Sequence, residues 1–122
     1  MKLQHTAVEN LNQFSGYGDD FVRVNTEQHQ GNVLVTASEV HVWRPLGFDD
    51  LTEADFSAVL AYKPEVILLG TGKTIRFPHP QLYSALAAAH IGLDVMDTGA
   101  LCRTFNILTS ENRKVVALIV HN

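Results

Sequence analysis

Met96-Asp97-Thr98-Gly99-Ala100-Leu101-Cys102-Arg103-Thr104-Phe105-Asn106-Ile107-Leu108, followed by Glu111-Asn112-Arg113 and the apolar run Val115 to Val120, is the stretch on which the fold turns. A strand end at Met96 meets Asp97-Thr98, either of which can cap the free N–H groups of a helix start. Leu101, Phe105 and Leu108 then recur at helical spacing and face a core, while Arg103, Asn106 and Ser110 fall on the opposite side. A polar turn leads into Lys114 to Val120, a run without alternation, as expected of a strand covered on both faces. Strand, capped helix and strand in succession form the unit from which α/β sheets are built. The short turn is also compatible with an antiparallel final strand.

The same unit recurs upstream. Val66-Ile67-Leu68-Leu69 is uniformly apolar and reads as a central strand. Gly70 to Pro78 is a loop, and Pro80 opens a helix with Leu82, Ala85, Leu86 and Ala89 on one face. Gly92 ends it. Leu93 to Met96 is then a strand parallel to Val66–Leu69, the helix serving as a crossover. Before this unit, Thr52 caps a helix and Asp55 reaches back to the cap. Leu51 and Phe56 sit where a staple packs, Phe56, Val59 and Leu60 form the buried stripe, and Pro64 stops the helix. Phe21 to Thr26, Val33 to Thr36 and Val40 to Arg44 read as strands joined by short connections, hence an antiparallel meander, with His41 and Trp43 on one face. Residues 1–20 lack periodicity, and Gly16-Tyr17-Gly18-Asp19-Asp20 marks a flexible, turn-rich lead-in. The expectation is an α/β protein: one domain over residues 21–122, an N-terminal β-meander plus βαβ units, forming a mixed sheet with helices packed against it.

Composition agrees. The chain has 122 residues, enough for one domain with its own core. Hydrophobic residues make up 46% and charged residues 18%, which excludes a disordered class. The formal charge of −4, without a Lys/Arg cluster, argues against nucleic acid. Cys102 is the single cysteine and forms no internal disulfide. Met1-Lys2-Leu3-Gln4-His5 opens no apolar stretch of signal-peptide length, and Val115–Val120 is too short to cross a bilayer. A cytoplasmic protein without direct membrane insertion is expected.

Gly70-Thr71-Gly72-Lys73-Thr74 resembles the tail of a P-loop, but Ile67 stands where its first glycine belongs, and Ile75-Arg76-Phe77-Pro78 prevents the helix that must follow. Ligands in such sheets gather beyond the carboxyl ends of parallel strands, and Gly70, Thr71, Gly72, Lys73 and Arg76 occupy one such end. Thr98, Arg103 and Asn106 supply the facing wall. Glu111 and Arg113 flank the last turn and read as a surface ion pair of small value. The six histidines are scattered without metal spacing, so no metal is expected. Cys102 lies beside Arg103 but has no base adjacent in sequence, so it reads as a buried small residue. No serine sits in a nucleophile elbow and no acid/base carboxylate pair stands out, so no catalytic residue and no cofactor are assigned.

Gly70-Thr71-Gly72, Met96-Asp97-Thr98 with Ala100, and Thr104-Phe105-Asn106-Ile107-Leu108 with Glu111 and Arg113 together resemble the Mth-type domain of unknown function, family four-nine-eight, over about residues 20–120. The Thr-x-Asn-x-Leu-x-x-Glu-x-Arg spacing from Thr104 to Arg113 is the more specific part. That family includes bacterial and archaeal hypothetical proteins and the mitochondrial respiratory complex I assembly factor three. The resemblance implies a compact α/β fold with a mixed sheet, and no established reaction. Two readings follow. In one, the chain is a non-enzymatic interaction or assembly-factor domain whose surface joins the Gly70–Arg76 loop to the Thr98–Asn106 helix face, with a protein partner associated with a membrane complex. In the other, the same crevice binds a small anionic ligand, as a binder or an uncharacterised enzyme, held by Lys73, Arg76 and Arg103 and oriented by Thr98 and Asn106. Both require the exit of the Val66–Leu69 strand and the start of the Thr98 helix to meet.

Overall fold

The computed structural model describes residues 11–121. Among the described residues, eight strands fall into two sheets. β1 (Phe14–Tyr17), β2 (Phe21–Val24) and β3 (Glu27–Gln30) form a small antiparallel sheet in that order. β4 (Val33–Val35), β5 (Val40–Val42), β6 (Val66–Gly70), β7 (Gly92–Met96) and β8 (Val115–Ile119) form a larger one in the order β5-β4-β8-β6-β7. β6 runs parallel to both β7 and β8, whereas β4 is antiparallel to β5 and to β8. The sheet is therefore mixed. Its last strand lies in its middle, parallel to one neighbour and antiparallel to the other.

That central place explains the unalternating runs. Along β8, Val115, Ala117 and Ile119 enter one core cluster, and Val116 and Leu118 enter the other. β6 divides likewise, with Leu68 on one side and Ile67 and Leu69 on the other. On the first face lie the small sheet (Phe14, Val22, Val24) and the helix α3 (Thr98–Ser110), through Leu101 and Phe105. On the second lie α1 (Glu53–Ser57), the 3-10 turn Ala58–Tyr62, the 3-10 turn Pro80–Tyr83 and α2 (Ser84–Ala88), through Phe56, Val59 and Leu86. Both faces being covered, every strand residue of β8 is apolar and buried.

The capping box forms. Thr52 Oγ1 accepts from the Asp55 N–H at 3.3 Å, and Asp55 Oδ2 accepts from the Thr52 N–H at 2.8 Å. Asp55 also receives Arg44 Nε and Nη2, both at 2.7 Å. Burial pushes the Asp55 carboxyl up, but the hydrogen bonds from Arg44 and Thr52 outweigh it and hold the group below its usual range. Lys63 ends the helical segment in the left-handed region, just before Pro64. His41 and Trp43 share a face, the first near Tyr62 and the second edge-on to Phe56.

Several local expectations are corrected. Residues 14–17, read as lead-in, are β1, and the earlier part of that lead-in, residues 1–10, lies outside the described residues. The meander is broken. β2 pairs with β1 and β3, and β4 belongs to the other sheet. β3 went unread because Glu27-Gln28-His29-Gln30 has no apolar face, three of its four residues being exposed. Its hairpin turns on Asn25, at φ 56°, a left-handed position that Asn tolerates. Gly31-Asn32 instead carries the chain between sheets. Gly31 has φ 82°, and the Asn32 side chain ties Pro45 O and the His121 N–H. The helix before β7 ends at His90, with φ 61°, and Gly92 is already in the strand. Arg113 pairs with Glu65 at 2.7 Å rather than with Glu111, because the last turn lies beside the start of β6.

Candidate functional site

β6 and β7 end together, Gly70 opposite Met96. The loop leaving β6 and the start of α3 are then joined reciprocally. The Thr98 N–H donates to Gly72 O at 2.9 Å, and the Gly72 N–H donates to Thr98 Oγ1 at 3.1 Å. Glycine is favoured at both positions by geometry. A Cβ on Gly70 would stand 3.1 Å from Leu101 Cδ1, and Gly72 has φ 83°. Thr71, 1% exposed, folds the loop on itself: its hydroxyl donates to Thr74 O at 2.7 Å and accepts from the Arg76 N–H at 3.0 Å. Gly70, Thr71, Gly72, Lys73 and Thr98 thus share one rim.

The cap of α3 is Asp97, whose carboxylate accepts the Ala100 N–H at 2.8 Å, which frees the Thr98 hydroxyl for Gly72. The positive end of the helix therefore already holds a carboxylate. Lys73 Nζ meets Asp19 Oδ1 at 3.2 Å, both side chains being well exposed. Arg76 also lines the cleft, but its guanidinium is committed. It pairs with Asp49 at 3.0 Å and lies 4.1 Å over the centre of the Phe48 ring. Tyr17 closes the opposite side. A Cβ on Gly99 would fall 2.5 Å from its hydroxyl, so a glycine in the first turn of α3 is what lets the ring lie there. Arg103 Nη1 would stand 3.4 Å from that same Cβ, placing its exposed guanidinium at the edge. Between these walls is an open cleft of about 840 Å³.

Asn106 is not part of it. Its amide grips the backbone of Phe14, Oδ1 accepting the N–H at 2.8 Å and Nδ2 donating to the C=O at 2.9 Å. β1 is an edge strand, and this side chain satisfies the groups that its missing neighbour would have paired. Cys102 is buried, which pushes its thiol up to about 12 against a smaller lowering by Arg103, so it is inert. Among the described residues no cluster of three His, Cys, Asp or Glu could hold a metal ion, and no helix is long and apolar enough to cross a membrane.

Sequence reasoning missed Tyr17 and Asp19, both in the segment read as lead-in. The available signal was a lone aromatic between two glycines ahead of two aspartates, Gly16 to Asp20. Asp97 was recognised as a cap but not as a wall of the cleft.

Comparison with known proteins bears on this arrangement. The family model described as a protein of unknown function (DUF498/DUF598) matches residues 14–120. The 13 kDa major membrane protein of Francisella tularensis subsp. holarctica is 27% identical over 98% of this chain and 99% of its own length. NADH dehydrogenase [ubiquinone] 1 alpha subcomplex assembly factor 3 of Mus musculus is 32% identical over 74% of this chain. The match spans only 50% of the mouse protein. The solution structure of a Bordetella pertussis protein, described as an Mth938-like domain, superposes with a TM-score of 0.75 at 28% identity, covering 94% of this chain and 87% of that one. It carries the same mixed α/β architecture that the resemblance implied. With the family model spanning both sheets and all of α3, the chain belongs to the DUF498/DUF598 family of proteins of unknown function.

Proposed function

We propose that the chain is a non-enzymatic interaction module of the assembly-factor type, and that its contact surface is the rim formed by Gly72, Lys73, Thr98, Gly99 and Arg103 with Tyr17 and Asp19. The observation that carries this is the state of the charges. Lys73 is matched by Asp19, and the helix end is matched by Asp97. Arg103 stands exposed at the rim, with no hydrogen bond or ion pair among the described residues. A surface neutralised within itself, with one uncommitted guanidinium, suits docking of a protein. It lacks the nucleophile and base in mutual reach that catalysis asks for. The mouse relative, named as an assembly factor for NADH dehydrogenase, supports a partner in a membrane-bound respiratory complex. The test is affinity capture from native lysate, comparing wild type with Arg103→Glu. Loss of the captured partner with unchanged thermal stability is expected. Equal capture by the two forms sinks the reading.

The rival, a small anionic ligand, is favoured by the cleft volume, which lies within the range of small-molecule sites. An anion there must compete with Asp19 for Lys73 and with Asp97 for the helix end. Calorimetry with phosphate, sulfate and small carboxylates tests it, and uniform absence of binding at millimolar concentration removes it.

A further inference from the structure

Beside the cleft, on the far side of the same loop, stand apolar side chains that folding does not use. Leu46 is 89% exposed, Phe77 74% and Ile75 47%. Single exposed apolar residues are ordinary. These three, however, belong to two loops that the fold binds together. Arg76, between Ile75 and Phe77, lies over Phe48 and pairs with Asp49. Leu46 is pinned in turn, its N–H donating to Asp50 Oδ2 at 3.0 Å, while Asp50 accepts from Arg44 at 3.1 Å. The backbone of both loops is held, and the apolar ends are left in solvent. That is the pre-organisation an anchor site needs, since little further ordering is required on binding.

The charges around these loops select the occupant. Asp49, Asp50, Glu53 and the buried Asp55 stand against Arg44 and Arg76, both already bound to carboxylates, while Lys73 of the same loop is matched by Asp19. Asp49 is 90% exposed at its side chain, and Glu53 is exposed. A negative rim repels an anionic bilayer surface and attracts cationic side chains. We propose that Leu46, Ile75 and Phe77 dock a basic-apolar segment of a protein partner. Its large apolar side chains seat on Leu46 and Phe77, and its Lys or Arg residues meet Asp49 and Glu53. This rests on the interaction reading above and names the chemistry of the partner.

Two short synthetic peptides test it, one alternating Leu and Phe with Lys, the other carrying Glu in place of Lys. Each is titrated into the isotopically labelled chain and followed by NMR. The Lys peptide should shift the amides of residues 46–49 and 75–77. Its affinity should fall about tenfold or more in Leu46→Ser/Phe77→Ser, and severalfold in Glu53→Lys, which leaves the Asp49–Arg76 pair intact, the loss expected when an anchor or its charge match is removed. Thermal stability should not change, the altered side chains being exposed. Equal binding of the two peptides, or shifts confined to other surfaces, overturns the proposal. So does co-sedimentation with phosphatidylglycerol vesicles that depends on Phe77, which would make the patch a membrane contact. The partner captured from lysate separates the two readings. Retention by Leu46→Ser/Phe77→Ser with loss in Arg103→Glu refutes this patch alone, and the reverse pattern supports the patch and refutes the rim.

Discussion

Replacing Asn106 by alanine removes both hydrogen bonds that hold the edge of β1 to α3. Each contributes about 0.5–1.5 kcal/mol net, and truncating one partner adds the desolvation penalty of the group left behind. Phe14 is 6% exposed, so its N–H and C=O gain little water in exchange. Alanine recovers about 0.5 kcal/mol of helix propensity. The expected loss is about 2–3 kcal/mol, against a total of roughly 5–15 kcal/mol for a domain. For a chain of this length that lowers Tm by about 6–15 °C. Urea unfolding at pH 7 reads the loss, and hydrogen exchange at Phe14 reads its location. Arg103→Ala, on the exposed face of the same helix, is the control and should stay within about 0.5 kcal/mol of wild type. Asn106→Asp adds a sign test. Its carboxylate would face the Phe14 carbonyl, which raises its folded pKa, so its deficit relative to wild type should shrink as pH falls toward about 4 and be smallest below it, where a protonated acid can donate. An Asn106→Ala protein as stable as the Arg103→Ala control, or with an equally protected Phe14 amide, refutes the edge-capping role.

Asp55→Ala should cost about 2–3 kcal/mol in urea unfolding, losing the return bond of the capping box and two charge-assisted hydrogen bonds at a buried carboxylate. Because the folded chain holds this carboxyl below 3.8, its contribution is complete above that pH and is lost only as pH falls through the lower folded value, so acid titration of wild type and variant should converge there. His121 has two buried ring nitrogens that lack a well-formed hydrogen bond among the described residues, and burial outweighs the nearby Gly31 and Asp19 backbone and the Asp20 charge to keep its pKa below 6.5. The unfolded chain takes up a proton there below pH 6.5 and the folded chain resists, so stability falls as pH drops from 6.5. His121→Phe should flatten that part of the curve when urea midpoints at pH 7.5 and 5.5 are compared, and an unchanged slope contradicts this. Cys102 should react negligibly with a thiol reagent at pH 8 until denaturant is added, and fast labelling of the native chain would contradict its burial.

What could be read from the residues depended on whether a pattern was local. The βαβ succession from Val66 to Val120 was legible because two-sided burial leaves β6 and β8 wholly apolar, and because Pro80 and the Asp97-Thr98 pair mark helix starts. The small sheet was not legible. β1 is short and interrupted by a bulge between Phe14 and Gly16, and β3 is a polar strand. Strand pairing there is decided by what lies beneath, the Phe105 side of α3, and not by any period in the segment itself. The candidate rim divided in the same way. Gly70, Gly72 and Thr98 could be placed from the end of a strand and the start of a helix. The destinations of Arg76 and Asn106 could not, because their partners lie 27 and 92 residues away in the chain.

Asn106 nevertheless governs the cleft from a distance. Its clamp fixes Phe14, and Phe14 also stacks edge-on against Phe105, 5.0 Å between ring centres. From Phe14 to Tyr17 is only three steps of strand, roughly 10 Å. Tyr17 and Asp19 are held toward Gly99 and Lys73 by this clamp together with the pairing of Tyr17 with Val22. One helix thus builds two walls, its first turn directly and its middle through the small sheet. It follows that a binding defect in Asn106→Ala reports a displaced wall rather than a lost contact. Arg103, whose replacement leaves the clamp on β1 untouched, is the residue on α3 that interrogates the surface itself.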